Sequence, residues 1–223
     1  MWKIWKFAVR CVVFSGIAAS LAVGGASTAS AVPALGQVRE ADATFANVKI
    51  TADDYVLGRS DAPVTIVEYA SLTCQHCADF HKKELPELKK AYISTGKVRL
   101  VYRDFPLDRL ALAGSVLARC FERDRFFAFI GILFQDQTRW ARSGNPMKSL
   151  GQIARLGGMT PEKYNACFKD KKLQTAVLEQ RLHGSKTFQI NSTPTLLING
   201  RKFSGGLTFA EMKAVIDPLL AKN

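Results

Sequence analysis

The chain has 223 residues, of which 48% are hydrophobic and 22% charged, and a formal net charge of +12. This composition is typical of a globular domain with a sizeable core and excludes a disordered or low-complexity protein. The basic residues are scattered in short pairs and form no basic-aromatic stripe, so we expect no nucleic-acid partner.

The first 31 residues are organised like a secretory signal peptide. Three basic residues without an acid precede a 15-residue apolar run, and small residues follow that end in an A-x-A site at Ala31. We expect cleavage after Ala31 and a periplasmic location. The alternative is an uncleaved membrane anchor, for which the interrupted apolar run is short. Cleavage removes Cys11 and three positive charges, so the mature chain keeps a net charge of +9.

Residues 32–47 lack clear periodicity, and we predict an extended N-terminal leader over 32–53. The β-branched, apolar run 64–70 (VTIVEYA) then predicts a buried strand. A helix that Pro86 kinks follows, and 98–105 (VRLVYRDF) predicts a second strand. The order is that of a β-α-β unit with parallel strands and a right-handed crossover.

Cys74 and Cys77 lie in the turn from the first strand into this helix. Unpaired N–H groups at the start of a helix favour a thiolate at Cys74. Cys77, one turn further on, is close enough to close a small disulfide ring and to resolve a mixed disulfide on Cys74. His76 lies between the two and can stabilise the Cys74 thiolate further. The pattern therefore predicts a redox-active centre.

A metal site is the alternative interpretation of the same segment. Cys74, Cys77 and His81 could supply three zinc ligands, but a structural zinc site takes four, commonly as two separated pairs. The sequence contains no second C-x-x-C and no H-x-x-x-H. We therefore expect no metal.

Residues 107–190 are predicted to be helical throughout. Apolar periodicity and capping signals indicate five helices, at about 110–121, 126–134, 147–156, from Thr160 onward, and 171–188. Cys120 and Cys167 each lie on the apolar face of one of these helices. They are either two buried thiols or a structural disulfide, and an oxidising compartment favours the disulfide. Closing this loop stabilises the chain by about 4 kcal/mol in the chain-entropy model.

The C-terminal segment, 191–223, is predicted to be β-β-α. Two short apolar runs, 195–198 and 201–204, flank an Asn-Gly pair, which is a strong signal for a tight hairpin. Thr208 and Glu211 then have the spacing of a capping box at the start of a terminal helix.

Two stretches carry a family resemblance: EYASLTCQHCADFHKKELPELKKAYISTGKVRLVYRDFPLD (68–108) and STPTLLINGRKFSGG (192–206). Through them the chain resembles bacterial DsbA-type thiol-disulfide oxidoreductases over nearly all of 54–221. The resemblance implies an α/β, thioredoxin-like fold, β-α-β plus β-β-α, with an inserted all-helical subdomain. Its core halves would be 54–106 and 191–223, with the insertion at 107–190.

The resemblance also assigns roles to three further residues. Glu68, an acid in an apolar strand, is either an edge-strand residue that reaches solvent or a buried carboxylate that shuttles the Cys77 proton. The family carries an acid at this offset, which favours the second role. Pro194 is expected to be cis and to face the cysteine pair, with an ordinary trans proline as the alternative. Thr193 would then offer backbone hydrogen bonds to the substrate chain.

By resemblance, the chain is an oxidase that donates the Cys74–Cys77 disulfide to thiols of unfolded secreted proteins. It needs no dissociable cofactor, and a quinone-linked membrane partner of the DsbB type re-oxidises it. Thr193 keeps a disulfide isomerase or reductase open, since threonine is usual before the proline in the isomerase branch. Only about 22 residues separate Ala31 from the core, too few for an oligomerisation domain, so we expect a monomer. A non-catalytic binding module is the third class, which the presence of both cysteines disfavours.

Overall fold

The computed structural model describes residues 39–46 and 48–222. The predicted signal peptide, 1–31, and residues 32–38 and 47 of the predicted leader lie outside the described residues. The described strands form one mixed sheet in the order β1-β6-β5-β3-β4-β2. Their bounds are β1 Ala43–Thr44, β2 Tyr55–Leu57, β3 Val64–Ala70, β4 Val98–Asp104, β5 Thr195–Ile198 and β6 Arg201–Ser204.

Strand β3 lies at the centre of this sheet. It pairs in parallel with β4 over its whole length, from Val64 opposite Val98 to Ala70 opposite Asp104, and antiparallel with β5. Neighbours on both edges and packing on both faces bury nearly all of β3, which explains its almost continuous apolar sequence. The parallel pairing confirms the predicted β-α-β unit.

The crossover helix runs from Gln75 to Ile93 and alternates between two helical forms. It consists of α1 (Gln75–Asp79), a π-helical turn (Phe80–Glu84), α2 (Leu85–Leu88) and a second π-helical turn (Lys89–Ile93). Pro86 has no N–H to donate, and its ring excludes the carbonyl four residues earlier from a regular α-helix. The first π-helical turn lies just before this proline, where such a disturbance is expected.

Between β4 and β5, where every residue is described, the chain forms six helices and a short 3-10 turn. The helices are α3 Arg109–Arg119, α4 Phe126–Gln135, α5 Gln137–Ala141, α6 Pro146–Leu156, α7 Pro161–Cys167 and α8 Lys171–Phe188. Their apolar faces form a core cluster that also takes in Cys77 and Tyr102 of the β-α-β unit. The helical segment therefore packs directly against the start of the crossover helix.

The C-terminal segment supplies strands β5 and β6, which extend the sheet on the side of β3 opposite β4. Asn199 and Gly200 both have positive φ in the turn between β5 and β6, as a tight hairpin requires. Both hydrogen bonds of the predicted capping box form between Thr208 and Glu211, and helix α9 (Phe209–Leu220) follows. The observed order, β-α-β, helices, then β-β-α, confirms the predicted fold class.

Candidate active site

Cys74 is placed by the end of β3 and the start of α1. It is the N-cap residue of α1, with an extended backbone conformation, so that its side chain lies beside the first N–H groups of the helix. Its side chain is partly exposed, whereas Cys77, one helical turn later, is fully buried. Both cysteines are free thiols in this structure. One sulfur is therefore accessible and the other is shielded.

The two thiols have opposite acidities. Hydrogen bonding by the Cys77 thiol, the Thr193 side chain and the backbone N–H groups of Cys77 and His76 outweighs partial burial, and the pKa of Cys74 falls from 9.0 to about 5. Burial, followed by the neighbouring Cys74 sulfur, raises the pKa of Cys77 well above 9.0. At neutral pH the pair holds one thiolate, on Cys74, and one thiol, on Cys77.

The Thr193–Pro194 segment lies against Cys74 although 119 residues separate Cys74 and Thr193. The peptide bond between Thr193 and Pro194 is cis. The Cys74 thiol can donate to the Thr193 carbonyl at 3.2 Å, a hydrogen bond that only the protonated sulfur makes. The Thr193 hydroxyl is buried without another partner in the described part of the chain and favours the thiolate. Thr193 therefore contacts the Cys74 sulfur through its carbonyl, which favours the thiol, and through its hydroxyl, which favours the thiolate.

Glu68 is fully buried in the central strand β3, which excludes the solvent-exposed edge position. Both of its carboxylate oxygens lie 3.0 Å from Nε2 of His81, whose side chain is only 4% exposed. The sequence offers His81 as a zinc ligand, but in the structure this nitrogen contacts Glu68. No group of three or more His, Cys, Asp or Glu residues is placed to hold a metal ion within the described residues.

Gln137, on the short helix α5, is a site residue that the sequence pattern did not indicate. Its buried Nε2 donates to the Leu72 carbonyl at 2.9 Å and to the Cys74 carbonyl at 2.8 Å. These carbonyls belong to the turn that leads into α1, and the Cys74 carbonyl also accepts the Ala78 N–H of the helix at 3.1 Å. Through Gln137, the helical segment thus holds the backbone of residues 72–74, which we call the cysteine turn.

His76 is exposed, and the group that it directs at Cys74 is its backbone N–H. A contribution of its imidazole to the Cys74 thiolate stays a prediction. Cys120 and Cys167 are joined by a disulfide, with 6.2 Å between their Cα atoms. The bridge connects the C-terminal ends of α3 and α7 and lies wholly within the helical segment.

Comparison with known proteins places this geometry in a family. The thioredoxin family model matches residues 51–218. Alpha-DsbA1 of Wolbachia pipientis superposes with a TM-score of 0.74 at 30% identity, over 78% of this chain and 94% of that chain. The chain belongs to the DsbA-type branch of the thioredoxin-like family.

Other relatives of this DsbA-type chain are more distant or longer. Oxidised BdbD of Bacillus subtilis shares the fold, with a TM-score of 0.70 at 22% identity, over 82% of this chain and 100% of that chain. A Rickettsia prowazekii protein named as a protein-disulfide oxidoreductase is 36% identical over 165 residues, which are 74% of this chain and 60% of that protein. The chain thus spans about three fifths of the length of this curated relative.

Within the described residues of the DsbA-type chain, no helix is both long enough and apolar enough to cross a membrane.

Proposed function

We propose that this DsbA-type chain is a protein-disulfide oxidase that transfers its Cys74–Cys77 disulfide to thiols of unfolded proteins. One observation carries the proposal: a partly exposed Cys74 with a pKa of about 5 lies beside a fully buried Cys77 whose pKa is raised. Whatever stabilises the Cys74 thiolate stabilises the reduced form, which makes the disulfide a stronger oxidant.

The reaction starts with attack by a client thiolate on the exposed Cys74 sulfur. The Cys74–Cys77 bond breaks, its electron pair stays on Cys77, and a mixed disulfide joins Cys74 to the client. A second client thiolate then attacks the client sulfur and releases Cys74, which leaves readily because its thiolate is stabilised. Cys74 is the attacked sulfur because Cys77 is inaccessible. We assign Thr193 and Pro194 to the binding of the client backbone beside Cys74.

Transfer to a reduced, unfolded client tests this function. The oxidised chain, mixed with reduced and unfolded ribonuclease, should lose one Cys74–Cys77 disulfide for every two thiols that the client loses. Cys77→Ser cannot form the Cys74–Cys77 disulfide and should leave the client thiols unchanged. A chain that stays oxidised in the presence of the reduced client would contradict the proposal.

A disulfide isomerase or reductase is the second candidate, and Thr193 favours it. The Thr193 hydroxyl favours the Cys74 thiolate that also initiates reshuffling of wrong disulfides. Rescue of scrambled ribonuclease, with the oligomeric state from light scattering, separates the two candidates. We expect a monomer with slow rescue and fast oxidation. A dimer or trimer with strong rescue would assign the chain to the isomerases.

We further propose export to the periplasm with cleavage after Ala31, and re-oxidation by a quinone-linked membrane protein of the DsbB type. The A-x-A site after a short apolar run supports export. N-terminal sequencing of the envelope protein should begin at Val32. Membranes that contain a DsbB-type protein and quinone should re-oxidise the reduced chain, and membranes without that protein should not.

A further inference from the structure

The buried thiol of Cys77 cannot exchange its proton with solvent directly. Its residue is 0% exposed, and burial is the first cause of its raised pKa. Each time the Cys74–Cys77 bond opens, Cys77 leaves as a thiolate inside the core and must gain a proton. Each time the bond closes, the same proton must leave.

The carboxylate whose charge acts on Cys77 is itself fully buried. The charge of Glu68 contributes to the raised pKa of Cys77, so the two groups interact electrostatically. Glu68 is as inaccessible as Cys77, since both residues are 0% exposed. A second group is therefore needed to hold the Glu68 carboxylate in place and to share its proton.

His81 meets this requirement. Its Nε2 is equidistant from both Glu68 oxygens, at 3.0 Å, which fixes the carboxylate in one orientation. The His81 ring stacks on Phe134 of helix α4, with 4.0 Å between the ring centroids and 27° between the planes. With 7% of the whole residue exposed, His81 is less buried than Cys77 and Glu68. It lies in the first π-helical turn, a feature that is frequent at functional sites.

The other groups around Glu68 and His81 are poorly suited to exchange a proton with Cys77. Tyr102 lies opposite Glu68 on β4, and its hydroxyl has no hydrogen-bond partner among the described residues. Burial raises the pKa of Tyr102 well above 10.0, so it stays protonated. On the other side, β5 presents the apolar Leu196. Asp104 and Arg119, the remaining charged groups that act on Tyr102, form an ion pair with each other.

We propose that His81 is the positioning residue of the oxidase: it orients Glu68 and shares its proton, so that the two act on Cys77 as one unit. The inference rests on the proposed function of the cysteine pair. When a thiolate attacks Cys74, the electron pair of the broken bond stays on Cys77 Sγ and the Glu68–His81 pair gives Cys77 one proton. The pair then holds a carboxylate against a neutral imidazole. Of the two protons that a client dithiol loses, one returns to the pair and one goes to solvent.

Reduction of the oxidised full-length chain by dithiothreitol isolates this step. The small dithiol opens the same Cys74–Cys77 bond whether or not unfolded proteins are substrates, so failure of the proposed oxidase function leaves the test intact. The rate is measured across the pH range for the wild type, Glu68→Gln, His81→Leu, His81→Gln and the double variant Glu68→Gln/His81→Leu. His183→Gln is the matched control, since His183 is an exposed histidine on α8.

Loss of general acid-base assistance should slow the reaction by about 100-fold in Glu68→Gln and flatten its pH dependence. His81→Leu should lose about as much, and the double variant should lose no more than the worse single one, because the two residues act as a unit. His81→Gln keeps an N–H donor but cannot share a proton, so it should fold normally and react at an intermediate rate. The control should match the wild type.

Titration of Cys74 separates this role from a structural one. Neither Glu68 nor His81 is among the groups that lower the Cys74 pKa, so its midpoint should stay near 5 in all variants. Independent losses that multiply in the double variant would overturn the proposal. So would an unchanged rate and pH profile in both His81 variants while Glu68→Gln is slow.

Discussion

Two cysteine pairs in one chain occupy opposite ends of helices. Cys74 is the N-cap residue of α1, whereas Cys120 is the C-cap residue of α3 and Cys167 is the last residue of α7. N–H groups at a helix start stabilise a thiolate, and carbonyl groups at a helix end destabilise it. The Cys167 sulfur lies 3.4 Å from the Val116 carbonyl, which is such an environment.

This difference decides which pair can exchange. Thiol-disulfide exchange proceeds through a thiolate, and the sulfur with the lower pKa leaves faster. Cys74 satisfies both conditions with its pKa of about 5 and its partial exposure. In the second bridge only the partly buried Cys120 is open to attack, and the sulfur that would leave is that of Cys167, which is 4% exposed and lies beside a carbonyl that disfavours its thiolate. The position of a cysteine on its helix, more than its presence in a pair, therefore sets its role.

The two pairs also differ in what a bridge does to the unfolded chain. Cys120 and Cys167 are 47 residues apart, and closing that loop removes much entropy from the unfolded state. Cys74 and Cys77 enclose only two residues, so their bridge constrains the unfolded chain little. We therefore expect the Cys120–Cys167 bridge to stabilise the fold and the Cys74–Cys77 bridge to act as an oxidant.

Removing the reactive sulfur should have the largest effect. Cys74→Ser should reduce client oxidation to the background rate, because serine offers neither the bond that the client attacks nor a thiolate leaving group. Cys120→Ala/Cys167→Ala is the matched control and should retain oxidation under conditions where it is folded. Comparable loss of activity in both variants would remove the distinction between the pairs.

Cys120→Ala/Cys167→Ala should keep its activity but be less stable than the wild type. We expect its free energy of unfolding to fall by about 4 kcal/mol, since the unfolded chain regains the entropy that the bridge removes. Denaturant midpoints, measured with Cys74 and Cys77 oxidised in both proteins, check this value. A double variant as stable as the wild type would show that the second bridge is not structural.

The stability of the reactive pair should depend on pH with a defined sign. The pKa of Cys74 is lower in the folded chain, about 5, than in an unfolded chain, about 8.5, so the thiolate stabilises the reduced fold. This contribution should be lost as pH falls through 5 and should grow up to about pH 8. After allowance for solvent screening, we expect about 2 kcal/mol at pH 7.

The comparison that isolates this contribution is between reduced and oxidised chains, because the Cys74–Cys77 disulfide does not titrate. Unfolding midpoints of both forms between pH 4 and pH 8, with the Cys120–Cys167 bridge intact, provide it. A gap between the two forms that does not change with pH would contradict the depressed Cys74 pKa.

A smaller effect is expected from Gln137, the residue by which the helical segment holds the cysteine turn. Gln137→Leu leaves the carbonyls of Leu72 and Cys74 without this donor, which should lower stability by about 1–2 kcal/mol. Because the turn positions Cys74, slower client oxidation should accompany the loss. Gln152→Leu, on the exposed face of α6, is the control. If both variants behave alike, Gln137 does not support the reactive pair.

Local sequence signals were sufficient for most of the fold. The apolar run of β3, the Asn-Gly hairpin and the Thr208–Glu211 capping box each specify their element through nearest neighbours. Strands β1 and β2 and helix α5 were not predicted, because two, three and five residues are too few to express a period; β1 lies in the predicted leader and pairs with β6. Gln137 was missed together with α5.

The candidate site was harder to predict where it depends on contacts across the fold. The helix-start position of Cys74 follows from the strand and helix on either side of it. The pairing of Glu68 with His81 does not follow from the neighbouring sequence. It requires that the central strand be buried and that the π-helical turn before Pro86 direct His81 toward it. A histidine on the inner side of the crossover helix, with an acid in the preceding strand, is the signal that could have indicated it.

Titration of Cys74 in the reduced chain, with the Cys120–Cys167 bridge left closed, tests most directly whether the helix start holds a thiolate. Thiolate absorbance, or the rate of alkylation of Cys74 followed by mass spectrometry, gives the midpoint. We expect a single transition near pH 5, with Cys77 unreactive throughout and the Cys120–Cys167 bridge unlabelled. A midpoint near the free-thiol value of about 8.5, or labelling of Cys120 and Cys167 in the native protein, would contradict it.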